Sequence, residues 1–237
     1  MSNSYFQFKK FTVHQQKAAM KVCTDACLFG AWVAARMQGR KVERVLDIGT
    51  GTGLLSLMIA QKINAEITAV EIEEAATEQA EENFKLSPYA KRLTVVQDDI
   101  RKSITRRCFD LIITNPPFYN NDLKSEDQHR NVAMHSIDLS FDELLSQVNR
   151  LLQAHSFFAV LLPFFKSKDF ILSAEKHKLF LLEQIHVRQT EQHGYFRSML
   201  LFSRSISAQV QSELVIKKDN AYSEEFVRLL KDYYLYL

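Results

Sequence analysis

The segment Val45-Leu46-Asp47-Ile48-Gly49-Thr50-Gly51-Thr52-Gly53-Leu54 constrains this chain more than any other, because it joins an apolar run, three alternating glycines and the start of a helical pattern. Glycine takes positive φ at no steric cost, so the segment reads as a buried strand turning tightly into a helix. The alternation continues downstream. Apolar runs at 44–48, 67–72, 93–96 and 109–114 are interleaved with helical stretches at 54–62 and 74–85, the signature of βαβ units on a parallel sheet. Ser140 followed by Glu143 opens a further helix as a capping box, with Leu144, Leu145, Val148 and Leu151 on one face. The run 157–162 then predicts a fifth strand, and 179–185 with 198–202 predict a closing antiparallel pair. A last helix is expected over about 224–236. Upstream, Phe6, Phe8, Phe11 and Val13 alternate with polar residues as a short strand or arm, and Thr24-Asp25 opens a helix with Leu28, Ala31, Trp32 and Ala35 on one face. With no repeat or Gly/Ser linker, the 237 residues predict one mostly parallel α/β domain of seven core strands. Within it, 1–43 forms an N-terminal extension packed on a core of 44–237.

Ligands of open α/β sheets bind outside the carboxyl ends of the strands, so the residues at those ends carry the chemistry. The glycines Gly49, Gly51 and Gly53 fall as G-x-G-x-G, one residue short of a dinucleotide fingerprint, and Asp47 precedes them. This pattern resembles the first motif of class I S-adenosylmethionine-dependent methyltransferases. Glu71 ends the second run, where a carboxylate can accept two ribose hydroxyls. The third run ends in Asp98-Asp99-Ile100. In similar enzymes the acid immediately before an apolar residue accepts from the adenine amino group, which favours Asp99 and holds Asp98 in reserve. The fourth run ends in Asn115-Pro116-Pro117-Phe118. Two prolines remove two N–H donors and leave carbonyls that no ladder uses. The Asn115 side-chain oxygen and the Pro116 carbonyl can then hold both N–H bonds of a planar, conjugated amine, and Phe118 can stack on its ring. The lone pair of such a nitrogen is delocalised, so two acceptors that favour a pyramidal geometry address its poor nucleophilicity.

The flanking segments narrow the family. Ala19-Met20-Lys21-Val22-Cys23-Thr24-Asp25 and Gly30-Ala31-Trp32, preceded by Phe6-x-Phe8-Lys9-x-Phe11-x-Val13, resemble the bacterial tRNA1(Val) (adenine-37-N6)-methyltransferase family, as do Tyr222-Ser223-Glu224 and Tyr233-Tyr234-Leu235. The resemblance spans nearly the whole chain. It implies S-adenosyl-L-methionine as cofactor, tRNA as partner, methyl transfer to an exocyclic adenine N6, no metal and no membrane, a cytoplasmic location and a monomer. It also implies that Thr24, Asp47, Gly49, Gly51, Gly53, Glu71, Asp98, Asp99 and Asn115 hold the cofactor, with Asn115, Pro116 and Phe118 catalytic. Phe118 departs from the family's usual Tyr, although Tyr119 follows it. The Phe form occurs in rRNA guanine-N2 methyltransferases, the first alternative. Protein glutamine-N5 methylation is the second, opposed by the mere 43 residues ahead of the first strand; an RNA-binding module on an inactive fold is the third.

Charge locates the partner. The whole chain carries only +2, yet residues 1–44 hold eight Lys and Arg against two acids, and 66–82 hold seven Glu with no cation. A polyanion is therefore expected on one face. Lys9, Lys10 and Lys17, with Tyr119 and Arg130 in the long polar stretch 119–139, are the candidate RNA contacts; Arg101, Lys102, Arg106 and Arg107 come next. His14, His129 and His135 need not act as bases, because the methylated amine loses its proton readily to water. Cys23, Cys27 and Cys108 lack zinc spacing and read as small buried hydrophobes. No apolar run is long enough for a membrane span.

Overall fold

The computed structural model describes residues 3–102, 109–116 and 139–237. The positions Phe118, Tyr119, Arg130, Arg106, Arg107, Cys108, His129 and His135 lie outside the described residues. Among the described residues, eleven strands and six α-helices follow in chain order: β1 Tyr5–Gln7, β2 Thr12–His14, α1 Thr24–Met37, β3 Arg44–Ile48, α2 Leu54–Lys62, β4 Glu66–Glu71, α3 Glu74–Leu86, β5 Leu93–Gln97, β6 Phe109–Thr114, α4 Phe141–Leu151, β7 Leu152–Pro163, α5 Ser167–Lys176, β8 Phe180–Thr190, β9 Tyr195–Ser203, β10 Val210–Lys218, β11 Ala221–Tyr222 and α6 Glu224–Leu230. Nine of the strands form one sheet, ordered β11-β10-β8-β9-β7-β6-β3-β4-β5. β7, β6, β3, β4 and β5 run parallel, and β9 alone among the seven inner strands is antiparallel to its neighbours.

The seven expected strands are all present, and the sheet gains an outer pair that the sequence pattern does not announce. In β10 the first four residues are exposed and only Leu214, Val215 and Ile216 are buried, so no period of two runs its length. Its place comes from pairing along the edge of β8, a tertiary contact rather than a local propensity. The capping box at Ser140 forms as expected, its hydroxyl accepting from the Glu143 N–H while the Glu143 carboxylate accepts from Ser140 N–H. α1 begins at Thr24 as expected, with Cys23 as its N-cap, whose side chain makes no capping bond.

Helices cover both faces of the sheet. α1, α2 and α6, with Ala80 and Phe84 of α3, pack on one side in a cluster that includes Leu28, Trp32, Leu57, Met58 and Phe226. On the other, α4 and α5 bury Leu144, Leu145, Val148, Phe170 and Ala174 against Ile112, Phe158 and Phe202. This two-sided burial explains why the parallel strands are almost wholly apolar. Cys27 is fully buried in the first cluster, and burial raises its thiol to about 12.

The two chain ends meet. β1 and β2 form a hairpin whose Phe8 bridges to Tyr234 as an isolated antiparallel pair, and the Lys9 N–H donates to the Tyr233 carbonyl at 2.8 Å. The final helix therefore stops at Leu230 instead of continuing to 236, because Tyr233 and Tyr234 turn back to the Leu230 carbonyl and join the hairpin. Tyr233 is buried and donates its hydroxyl to the Met58 carbonyl.

Gly53 shows why the glycine turn admits no larger residue. Its φ is +81°, and a Cβ placed there would lie 2.5 Å from Phe84 Cε1. Gly39 has a similar φ of +77° but open space around it. Gly53→Ala is therefore expected to lower unfolding free energy by clearly more than the ~1 kcal/mol of backbone strain alone, and by more than Gly39→Ala. Denaturant unfolding of the two variants checks this; equal losses would remove the Phe84 contact from the explanation.

Candidate active site at the glycine turn and the tip of β6

The glycine turn leaves β3 and is pinned to β4 by its own amides. Gly49 N–H and Thr50 N–H both donate to the Val70 carbonyl, at 2.8 and 3.2 Å. Gly49 and Gly51 have φ of +67° and +56°, and a Cβ on either would meet nothing within 4 Å. Backbone conformation thus demands glycine at both positions, while the space beside them is left open to a ligand. Asn83 on α3 locks this turn to the N-terminal hairpin: its Nδ2 donates to the Thr52 and His14 carbonyls, each at 2.8 Å, and its Oδ1 accepts from His14 N–H.

Asp47 is wholly buried beneath the turn. Its Oδ2 accepts from Thr50 Oγ1 and Ser56 Oγ, both at 2.7 Å, while Oδ1 has no hydrogen-bond partner. Burial is the main cause that lifts this carboxyl to about 6, with the two hydroxyls pulling the other way. Folded Asp47 thus holds its proton more tightly than the unfolded chain does, so stability falls as pH rises from about 4 to about 6 and the cost is fully in place above that window. Asp47→Asn cannot ionise. Its unfolding free energy relative to the native chain is expected to improve by about 1–3 kcal/mol between pH 4 and pH 7, measured without added ligand. A pH-independent difference would show that Asp47 keeps an ordinary carboxyl.

Glu71 ends β4 and is also buried. Its Oε2 accepts from Gly51 N–H at 2.8 Å, and its Oε1 from Ile72 and Glu73 N–H at 2.9 and 3.1 Å. Three of the four lone-pair sites of the carboxylate are therefore spent on backbone, with the open one on Oε2. A grip on both ribose hydroxyls displaces at least one of these bonds. Asp98 and Asp99 follow β5. The Asp99 carboxylate is held by Arg101, whose Nε lies 2.9 Å from each oxygen, and this contact keeps it below the usual carboxylate range. Arg101 also reaches Glu143 at 3.4 Å. Asp98 accepts from Asp99 N–H at 2.7 Å. An adenine amino group reaches Asp99 only in competition with Arg101, whereas Asp98 carries the lighter commitment.

β6 lies directly beside β3, with Ile48 paired to Thr114, so Asn115 and Pro116 emerge next to Gly49. Thr114 Oγ1 donates to the Ile48 carbonyl at 2.8 Å and fixes the two strand tips together. Thr114, Thr50, Ser56 and Asn83 are site residues that motif spacing did not single out. The signal available was a hydroxyl within one turn of a strand-terminal acid or amide.

The remaining candidates are placed differently. Thr24 is exposed, and its hydroxyl meets the Tyr234 side chain rather than the glycine turn. Lys9 donates its ammonium to the Lys231 carbonyl. Lys17 pairs with Glu78 at 3.2 Å and Glu82 at 4.0 Å on α3. Lys10 is exposed.

The arrangement has the donor set of a nucleoside with a cationic end. Glycine-lined space, a carboxylate at the tip of β4 with a lone-pair site open and acids after β5 fit S-adenosylmethionine, over a buried acid that braces the turn. Comparison with known proteins gives the same class. The methyltransferase small domain family model matches residues 30–154. A tRNA1(Val) (adenine(37)-N6)-methyltransferase from Phocaeicola vulgatus is 40% identical over 239 residues, covering 99% of each chain. One of the same name from Dyadobacter fermentans is 40% identical over 98% of each. Among solved structures, a predicted O-methyltransferase from Agrobacterium tumefaciens superposes with a TM-score of 0.68 at 14% identity, covering 88% of this chain and 96% of that one, a likeness of fold.

Proposed function

The chain belongs to the tRNA1(Val) (adenine(37)-N6)-methyltransferase family of S-adenosylmethionine-dependent transferases, and on that premise we propose that it methylates the exocyclic N6 of adenosine 37 in tRNA1(Val). The observation that carries this reading is the position of Asn115 and Pro116 at the tip of β6, immediately beside Gly49 of the glycine turn. S-adenosylmethionine, when bound, supplies an electrophilic methyl on a sulfonium. Gly49, Gly51, Glu71 and Asp98 or Asp99 line its place, and Asp47 supports the turn from beneath through Thr50 and Ser56. Asn115 Oδ1 and the Pro116 carbonyl accept the two N–H bonds of the adenine amine, turn its lone pair out of conjugation and aim it. The rate comes from alignment, since reacting atoms held about 3–3.5 Å apart convert a bimolecular step into a unimolecular one. By its place in the motif, Phe118 is assigned the stack on the adenine. We read residues 1–43 as an extension of the same structural unit, acting as a monomer in the cytoplasm, where tRNA is found.

Incubating the protein with labelled S-adenosylmethionine and unmodified total tRNA, followed by nucleoside analysis, tests the assignment. Label in N6-methyladenosine is expected. Label in N2-methylguanosine, or on protein, transfers the assignment to a guanine or glutamine methyltransferase.

A further inference from the structure

The sheet order sets two unlike flanks on either side of Asn115. Toward β3, β4 and β5 lies the cofactor half, covered by α3 with Glu73, Glu74, Glu78, Glu81 and Glu82. That acid-rich helix repels a phosphate backbone, and it also neutralises Lys17. Toward β7, β9, β8 and β10 the carboxyl edge of the sheet is different. β7 ends at Pro163 and runs straight into Phe164-Phe165-Lys166, and Phe165 is 65% exposed. Tyr195 opens β9 opposite Arg188 of β8, and Lys217 of β10 stands beside Thr190. Three of the aromatics here carry a cation: Lys166 over Phe165 at 5.9 Å, Arg188 over Tyr195 at 5.6 Å, Lys217 over Tyr222 at 5.5 Å. Phe164, His186 and Tyr195 form a ring cluster with centroids 4.8–5.2 Å apart. The Tyr195 hydroxyl donates to Glu213 at 2.6 Å, and Glu213 also holds Arg188 at 2.7 Å, so the ring and the guanidinium are fixed in advance.

Resting on the proposed activity, we infer that this flank seats the tRNA: Phe165 and Tyr195 stack the single-stranded nucleotides beside the target adenosine, and Lys166 and Lys217 take their phosphates. Interleaved rings and cations are what an unpaired strand needs, because every base has a π-face and every linkage a charge. The reach is right. Thr114 of β6 is level with Val160 of β7, so Phe165 begins roughly 10–15 Å from Asn115, one strand over and a few residues on. The N-terminal lysines do not compete for this role from the acidic side of the sheet.

The test is binding of unmodified tRNA by fluorescence anisotropy across a salt series, with methyl transfer by the native protein measured alongside. Phe165→Ala and Tyr195→Ala are each expected to weaken tRNA binding about five- to 150-fold, with an unchanged salt slope. Phe165→Trp keeps a ring and should bind as the native protein does, and Tyr195→Phe, which keeps the ring but loses the bond to Glu213, should stay within about threefold, which separates stacking from misfolding. Lys166→Ala and Lys217→Ala should each lower the logarithmic salt slope by about 0.7. Affinity for S-adenosylhomocysteine should not change in any of them. If the native protein methylates tRNA while Phe165→Ala and Tyr195→Ala bind within twofold of it, and the combined Lys9, Lys10 and Lys17 alanine variant loses affinity, this surface is overturned and the activity stands. If the native protein neither binds nor methylates tRNA, the activity falls and this inference with it.

Discussion

Asn115→Ala is expected to lower turnover by at least about 100-fold while leaving affinity for S-adenosylhomocysteine within about threefold of the native value. The asymmetry follows from position. Asn115 stands past the pairing of Ile48 with Thr114, beyond the bonds that hold the glycine turn, and in the proposed arrangement its amide serves the incoming amine rather than the cofactor. Removing it takes away one of two acceptors that draw the nitrogen lone pair out of conjugation, an interaction made fully only as the new bond forms. Single-turnover methylation read against calorimetric cofactor binding separates the two quantities. Near-native turnover would reduce Asn115 to the end of a strand.

Glu71→Ala is expected to act in the opposite way, weakening S-adenosylmethionine by at least about 100-fold. Its carboxylate accepts three backbone N–H bonds, from Gly51, Ile72 and Glu73, and hydrogen bonds to a charged group are worth about 1.5–3 kcal/mol each. The variant loses the tie that holds the glycine turn on β4 and, on the proposed assignment, the ribose acceptor as well. Glu71→Gln should be nearly as damaging, at a loss of about 30-fold or more, because its amide must present an NH2 group to a backbone donor on one side. Calorimetry of both variants checks this, and a loss under threefold in each would remove Glu71 from the cofactor site.

Much of this was legible because local and tertiary demands coincide. The strand 44–48, the turn at Gly49–Gly53 and the helix from Leu54 are specified by apolar runs and by φ values only glycine accepts, and they fall where the sequence places them. The capping box at Ser140 is equally local. What escaped is set by contacts far along the chain. β10 looks half polar because half of it is solvent-facing at a sheet edge. The last helix is cut short by its meeting with the hairpin, which no local periodicity records. At the site, the acids at 47, 71, 98 and 99 were evident from their strand-end positions, but their partners were not: Arg101 beside Asp99, and the backbone amides on Glu71, arise from turns that only the folded chain defines. The same holds for Lys9 and Lys17, whose charges look available in the sequence and are used within the molecule.

The junction of the two chain ends has a consequence for how the protein is made. Lys9 bonds Lys231 across 222 residues of sequence and Phe8 bridges Tyr234, so one of the two seats of the β1–β2 hairpin is made long after the other, on Asn83 and Gln79 of α3, is within reach. At 5–20 residues per second the ribosome takes roughly 12–50 s over a chain of this length, and for nearly all of that time the N-terminal aromatics wait without their partner. Asn83 ties the same hairpin to Thr52 of the glycine turn. The tie to the cofactor loop can therefore form early, while the contact with Tyr233 and Tyr234 closes over Phe6 and Phe8 last, and a chain cut before Tyr233 is expected to keep its parallel strands and the Asn83 tie but leave those two rings uncovered.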